Sequence, residues 1–250
     1  MFFRRGRRER RAEETEPYWR QRGWQWSAVF LFLVFAVGGL VTLLAPGSDA
    51  GARPAAEGPL SDAADRGDAR PGGCATDDRA GAAAPTGPPE DLTWRTLGIA
   101  RVPVSATAGP TRFDGDVWWC YAHTPTGAAL AATVILGHMS EPGWRTVTDQ
   151  QLVDGGARRM FEFLRSRSED TVRPPNGAPA SVHMGFSLTS YTSTKATVAL
   201  LIKGDEGFTA TSVQLRWDGG DWKVLPQGSG SLYSEPTTAS NTTGYVLWGA

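Results

Sequence analysis

Residues 27–45 read SAVFLFLVFAVGGLVTLLA, nineteen consecutive positions without a charge. A helix that is apolar on every face has no side to turn toward water, so it must be buried in protein or in lipid. At a rise of ~1.5 Å per residue it nearly matches the ~30 Å hydrocarbon layer of a bilayer. Arg4, Arg5, Arg7, Arg8, Arg10, Arg11, Arg20 and Arg22 precede the run, whereas acids outnumber bases after it. Arginine flanking a span stays on the cytoplasmic side, which predicts an inside N-terminus and an outside position for everything after Pro46. Trp24 and Trp26, with Tyr18 and Trp19 further out, suit the headgroup level. The lipid bilayer is thus the first expected partner.

A signal peptide carries a short basic head and an apolar run of ~7–15 residues. The head of 26 residues and the run of 19 predict a retained anchor instead. Ser48-Asp49-Ala50 resembles a small-residue cleavage site and leaves removal of the anchor open.

Residues 1–26 hold eight Arg against four Glu, and residues 46–91 hold four Arg against nine acids. Glu9, Glu13, Glu14 and Glu16 interrupt the arginine tail, so topology and contact with anionic lipid explain it better than nucleic-acid binding. Only three of the 25 basic residues other than histidine are lysine, a bias that points to a high-GC bacterial genome. Cys74 and Cys120 both follow the apolar run, and an even pair in an oxidising compartment predicts a disulfide. Neither has the spacing of a zinc site.

The chain divides into a cytoplasmic basic tail (1–26), a transmembrane helix (27–45), an Ala/Gly/Pro/Asp linker read as disordered (46–91), one folded domain (92–226) and a flexible C-terminal tail with an apolar end (227–250). Within the domain, Thr124 and Pro125 mark a helix start, and the apolar stretch Ala128 to Met139 predicts a buried helix that Pro142-Gly143 stops. A second helical stretch follows Trp144. A third, from Ala157 to Arg167, is expected to turn Met160, Phe161, Phe163 and Leu164 inward and Arg158, Arg159, Glu162 and Arg165 outward. Period two then takes over: Val182, Met184, Phe186 and Leu188; Ala196, Val198, Leu200 and Ile202; Val213, Leu215 and Trp217. Asp218-Gly219-Gly220-Asp221 closes a tight hairpin through Trp222 and Val224. Helices followed by an antiparallel meander predict the α+β class, with helices packed on one face of a curved sheet.

This order, with YTSTKATVALLIKGDEGFTATSVQLRWDGGDWKV, resembles the cone-shaped fold of the nuclear-transport-factor-2-like superfamily. VPVSATAGP, CYAHTPTGAALAA and the WDGGDWKV close are similar to actinobacterial single-pass proteins encoded beside conjugation genes. The short tail, single span and external domain also resemble inner-membrane assembly components of type IV secretion and conjugation systems. The resemblance covers residues 92–226 and the topology, and it carries over no functional residues. It implies contact with other membrane-complex proteins, or a homo-oligomer, rather than catalysis.

His123, Tyr121 and the acids Asp114, Asp116 and Asp149 are the nearest acid/base candidates, and a hydrogen-bonding role at the helix start competes with catalysis for His123. Trp118, Trp119 and His123 form the candidate ligand pocket; adjacent strand residues face opposite ways, so one of the two tryptophans is expected in the core. Three scattered histidines make no metal site, and no nucleophile or phosphate motif is present, so no cofactor is expected. The apolar end Tyr245-Val246-Leu247-Trp248 either docks on its own domain or hooks a partner. The sequence therefore predicts a non-enzymatic extracytoplasmic interaction module on a membrane anchor; the alternative is a cone that binds a small molecule.

Overall fold

The computed structural model describes residues 57–62, 67, 69–168 and 182–249, so the expected basic tail and transmembrane helix lie outside the described residues. Among the described residues no helix is long and apolar enough to cross a membrane. All of them belong to the second of two units, Pro54–Ala250.

Two hairpins open the domain. β1 (Leu92–Leu97) pairs antiparallel with β2 (Ala100–Ser105), and β3 (Arg112–Asp114) with β4 (Val117–Trp119). Gly98 and Gly115 take positive φ at the two turns. Then comes α1 (Pro125–His138), started as its sequence predicts: the Thr124 side chain accepts the Gly127 N–H, and proline occupies the first turn. Gly127 is required sterically, since a Cβ there would lie 2.0 Å from the Ala122 carbonyl oxygen. Ala128, Leu130, Ala131, Val134 and Ile135 have no exposed surface, so α1 is the central core element. Two short helices follow, α2 (Trp144–Gln151) and α3 (Gly156–Arg165).

The meander is β5 (Val182–Tyr191), β6 (Lys195–Gly204), β7 (Gly207–Asp218) and β8 (Asp221–Val224), all antiparallel. Its inner face, with Phe186, Val198, Leu200, Val213, Leu215 and Trp222, packs against α1 in one core. The α+β class and the helix-against-sheet layering follow the sequence reading.

Three expectations require correction. The region read as a linker is part of the domain: among its described residues, Leu60 is 1 % exposed in a cluster with Val117, Trp119 and Cys120, and residues 69–91 are hydrogen-bonded to the body. One apolar side chain, one arginine and one disulfide hold this strap, and none of these shows as periodicity. The Gly/Ser/Thr-rich tail read as flexible lies on the sheet, with β9 (Thr237–Ala239) paired to β7 and β10 (Val246–Leu247) paired to β5. Lastly, α3 is turned. Met160, Phe163 and Leu164 are 43 %, 52 % and 48 % exposed, and of the four apolar residues expected inside only Phe161 packs inward, edge-on to Trp144.

Arginine fills the inner face of α3 because it finds partners there. Arg158 bridges Asp154 at 2.8 Å and Glu162 at 3.5 Å and donates to the Asp149 carbonyl. Arg165 donates to the Met139 carbonyl at the C-terminus of α1 and lies 5.0 Å over the Trp144 ring. A terminal helix carbonyl and an aromatic face together suit guanidinium better than a methionine or leucine.

Candidate functional site

The residues proposed for a pocket are separated by the fold. Trp119 is 7 % exposed and packs under the strap with Leu60 and Cys120. Trp118, one residue along β4, faces the other way: its ring meets Phe113 at 5.1 Å and His138 at 5.0 Å, both edge-on. Its carbonyl accepts the Tyr121 hydroxyl and the Gln151 amide. His123 stacks flat on Trp217, 3.8 Å between centroids and 11° between planes. Its Nε2 lies 2.5 Å from the Ser193 carbonyl oxygen, which fixes the proton on that nitrogen, and its own carbonyl accepts the Tyr191 hydroxyl. Every polar atom of the His123 backbone and the Nε2 of its ring is thus engaged near the helix start. Tyr121 is fully buried, and desolvation with the nearby Asp221 carboxyl pushes its hydroxyl pKa well up, so the hydroxyl stays protonated as the donor to the Trp118 carbonyl. Asp114 and Asp116 lie exposed on the β3–β4 hairpin.

The predicted disulfide is present. Cys74 and Cys120 are bonded with Cα atoms 5.4 Å apart, joining the strap to the residue between β4 and α1. Cys120 has φ of 70°, a conformation that costs a side-chain-bearing residue free energy and needs support. The support is Asp221, which periodicity did not single out. Its carboxyl accepts the N–H groups of Cys120 (2.7 Å), Tyr121 (2.9 Å) and Trp222 (2.9 Å) while fully buried. Desolvation raises its pKa to about 6 against the opposing pull of these donors and of Arg70. Arg70 reaches from the strap to the Tyr121 carbonyl, the Cys74 sulfur and the Asp78 carboxylate.

What the fold does form is a groove of about 680 Å³ beyond the C-terminus of α1, a volume typical of ligand sites. Leu136 and Met139 close one end, Phe161 and Leu164 of α3 one side, Leu200, Ile202 and Thr211 the floor, and Ser231, Leu232 and Tyr233 the far side. Gly230 lets that far side close on α3, where a Cβ would lie 2.8 Å from the Phe161 nitrogen. His183 also lines the groove because of a bulge between His183 and Gly185 in β5. The extra residue puts His183 opposite Ile202 and Phe186 opposite Leu200, so both share the inner face, and Val182 turns outward. Gly185 was the signal for this, since a lone glycine in a strand pattern marks a bulge.

His183 Nδ1 is sealed from solvent and has no hydrogen-bond partner among the described residues. Burial lowers the imidazole pKa to about 4, so the ring is neutral near pH 7. Among the described residues the groove wall carries no carboxylate to pair with it, and no group of three or more His, Cys, Asp or Glu is placed to hold a metal. The lining offers apolar contact together with polar side chains that include Arg165, Ser231 and Tyr233.

No curated protein and no solved structure matches this chain. Residues 54–247 match the model of a family described as a domain of unknown function, DUF8175, and the match starts at the strap rather than at β1. Since that match takes in the strap, the sheet and most of the C-terminal segment, the protein belongs to the DUF8175 family.

Proposed function

We propose that this protein is a non-enzymatic, single-pass membrane component whose outer domain works by protein contact, as a structural part of a conjugation or secretion assembly. The observation that carries the reading is the Cys74–Cys120 disulfide, which clamps the start of the folded domain shortly after the apolar run. Such a clamp persists in an oxidising compartment, which agrees with the outside position that the arginine flank predicts for the same residues. The packing of α1 on the inner face of an antiparallel sheet supports the cone-like, nuclear-transport-factor-2-like reading of the fold. Contact outranks catalysis because His123 is committed to the stack on Trp217 and the Ser193 carbonyl. The two hairpins also expose Ile99 (56 %) and Phe113 (40 %), the latter under the Arg95 guanidinium at 3.9 Å. Aromatic and arginine side chains of this kind anchor protein interfaces. The test is a photocrosslinking residue at Phe113 in cells: a discrete adduct with a membrane-complex protein, or with a second copy, is expected, and its absence would overturn the reading.

The groove favours a second reading, a domain that holds a small, largely apolar molecule. Native mass spectrometry of the protein extracted from its membrane would then show a retained molecule, and Ile202→Trp, which fills the floor, would expel it. An empty groove in both proteins would end this alternative.

A further inference from the structure

Helix α3 turns its apolar ridge to solvent, and the residues beside that ridge are cationic. Phe163 and Leu164 lie three and four residues after Met160, and Arg167 lies four and three residues after them, along one side of the segment, with Arg159 a turn before Phe163. The first three are about half exposed, and the Arg167 guanidinium lies 4.1 Å over the Phe163 ring. Neither Arg159 nor Arg167 has a carboxylate partner among the described residues, while Glu162, the helix's one acid, is engaged by Arg158. Tyr233, 45 % exposed, stands across the groove from Leu164 and adds an aromatic ring with a polar tip.

From this arrangement we propose that the outer face of α3 docks on an anionic lipid bilayer. Arginines flanking a narrow apolar ridge match a helix lying in the headgroup layer, where the ridge enters the acyl boundary and the guanidinium groups stay with the phosphates. A bilayer accepts such a ridge without a complementary surface. Charge complementarity selects anionic lipid, because each arginine near such a surface adds favourable attraction that zwitterionic lipid lacks. The proposal rests on the membrane reading above for its supply of lipid. Eleven residues of sequence, 46–56, separate the apolar run from the first described residue.

The test uses the full chain, loaded as one copy per nanodisc, with Phe163→Cys carrying an environment-sensitive fluorophore. Co-elution with discs reports the anchor reading alone and is scored before any spectrum is taken. In discs containing phosphatidylglycerol the fluorophore is expected to shift to the blue and brighten relative to phosphatidylcholine discs, and to revert at ~1 M salt. Arg159→Glu with Arg167→Glu should lower the docked fraction roughly thirtyfold while far-ultraviolet circular dichroism stays unchanged, because both residues are exposed. If the chain does not co-elute, added anionic vesicles replace the discs and the same spectral shift decides the proposal. Identical spectra with both lipids overturn it, as does a shift that requires two copies, which would assign the ridge to self-association.

Discussion

Asp221 shows how one side chain can hold a junction between distant parts of the chain. Its two oxygens satisfy three buried N–H groups, two of them about 100 residues earlier in sequence, at a residue held in the left-handed region. Each buried donor left without a partner costs about 1–3 kcal/mol. Asp221→Ala should therefore lose at least 3 kcal/mol in urea unfolding by the same principle. Asp221→Asn keeps Oδ1 for Tyr121 and Trp222 and sets an amide against the Cys120 N–H, so it should lose less. Equal stability of all three proteins would show that the junction is held by the disulfide alone. Nothing in Asp218-Gly219-Gly220-Asp221 distinguishes the structural acid from its partner in the turn, because its ligands come from the other end of the domain. The same limit applies to Arg70, read as one more polar residue of a linker.

At the scale of elements, the legible parts were those whose cause is local. The Thr124-Pro125 start of α1, its all-round burial and the Asp-Gly-Gly-Asp hairpin all follow from neighbouring residues and appear as expected. The orientation of α3 was not legible, because apolar periodicity gives the width of a face and not the partner it meets. Whether the C-terminal segment docks was open in the sequence; it docks. β10 covers the outer edge of β5, the Trp248 backbone N–H donates to the Met184 carbonyl, and the Trp248 ring lies 4.5 Å from Phe186. Gly185 admits it, since a Cβ there would lie 2.4 Å from the Val246 carbonyl oxygen. Deleting residues 245–250 should expose Phe186 and cost about 3–5 kcal/mol, as a buried tryptophan lost from a core does. Gly185→Ala expels the same strand, so its effect and the deletion's should be far from additive in a double-mutant cycle. Additive losses in the melting temperature would mean that β10 stays in place beside an alanine.

Across the whole molecule, His138, His183 and Asp221 set how stability responds to acid, and they do not all pull the same way. His138, 1 % exposed and with neither ring nitrogen partnered among the described residues, and His183 are both held by burial at a pKa of about 4, below the usual 6.5. Between those values the unfolded chain binds protons that the folded chain refuses, so their contribution is complete above pH 6.5 and is lost as pH falls toward 4. Asp221 runs the other way: with a folded pKa of about 6 against 3.8, its contribution is complete below 3.8 and lost as pH rises through 6. Two histidines outweigh one carboxyl, so urea unfolding should show a net loss of a few kcal/mol between pH 7 and pH 4.5. Asp77 and Asp91, whose pKa values are lowered by hydrogen bonds, act mainly below that window. Replacing both histidines, as His138→Leu with His183→Leu, leaves Asp221 to dominate. The slope should then reverse, and the variant should be more stable at pH 4.5 than at pH 7. A double variant that keeps the native slope would place the acid sensitivity outside these three groups.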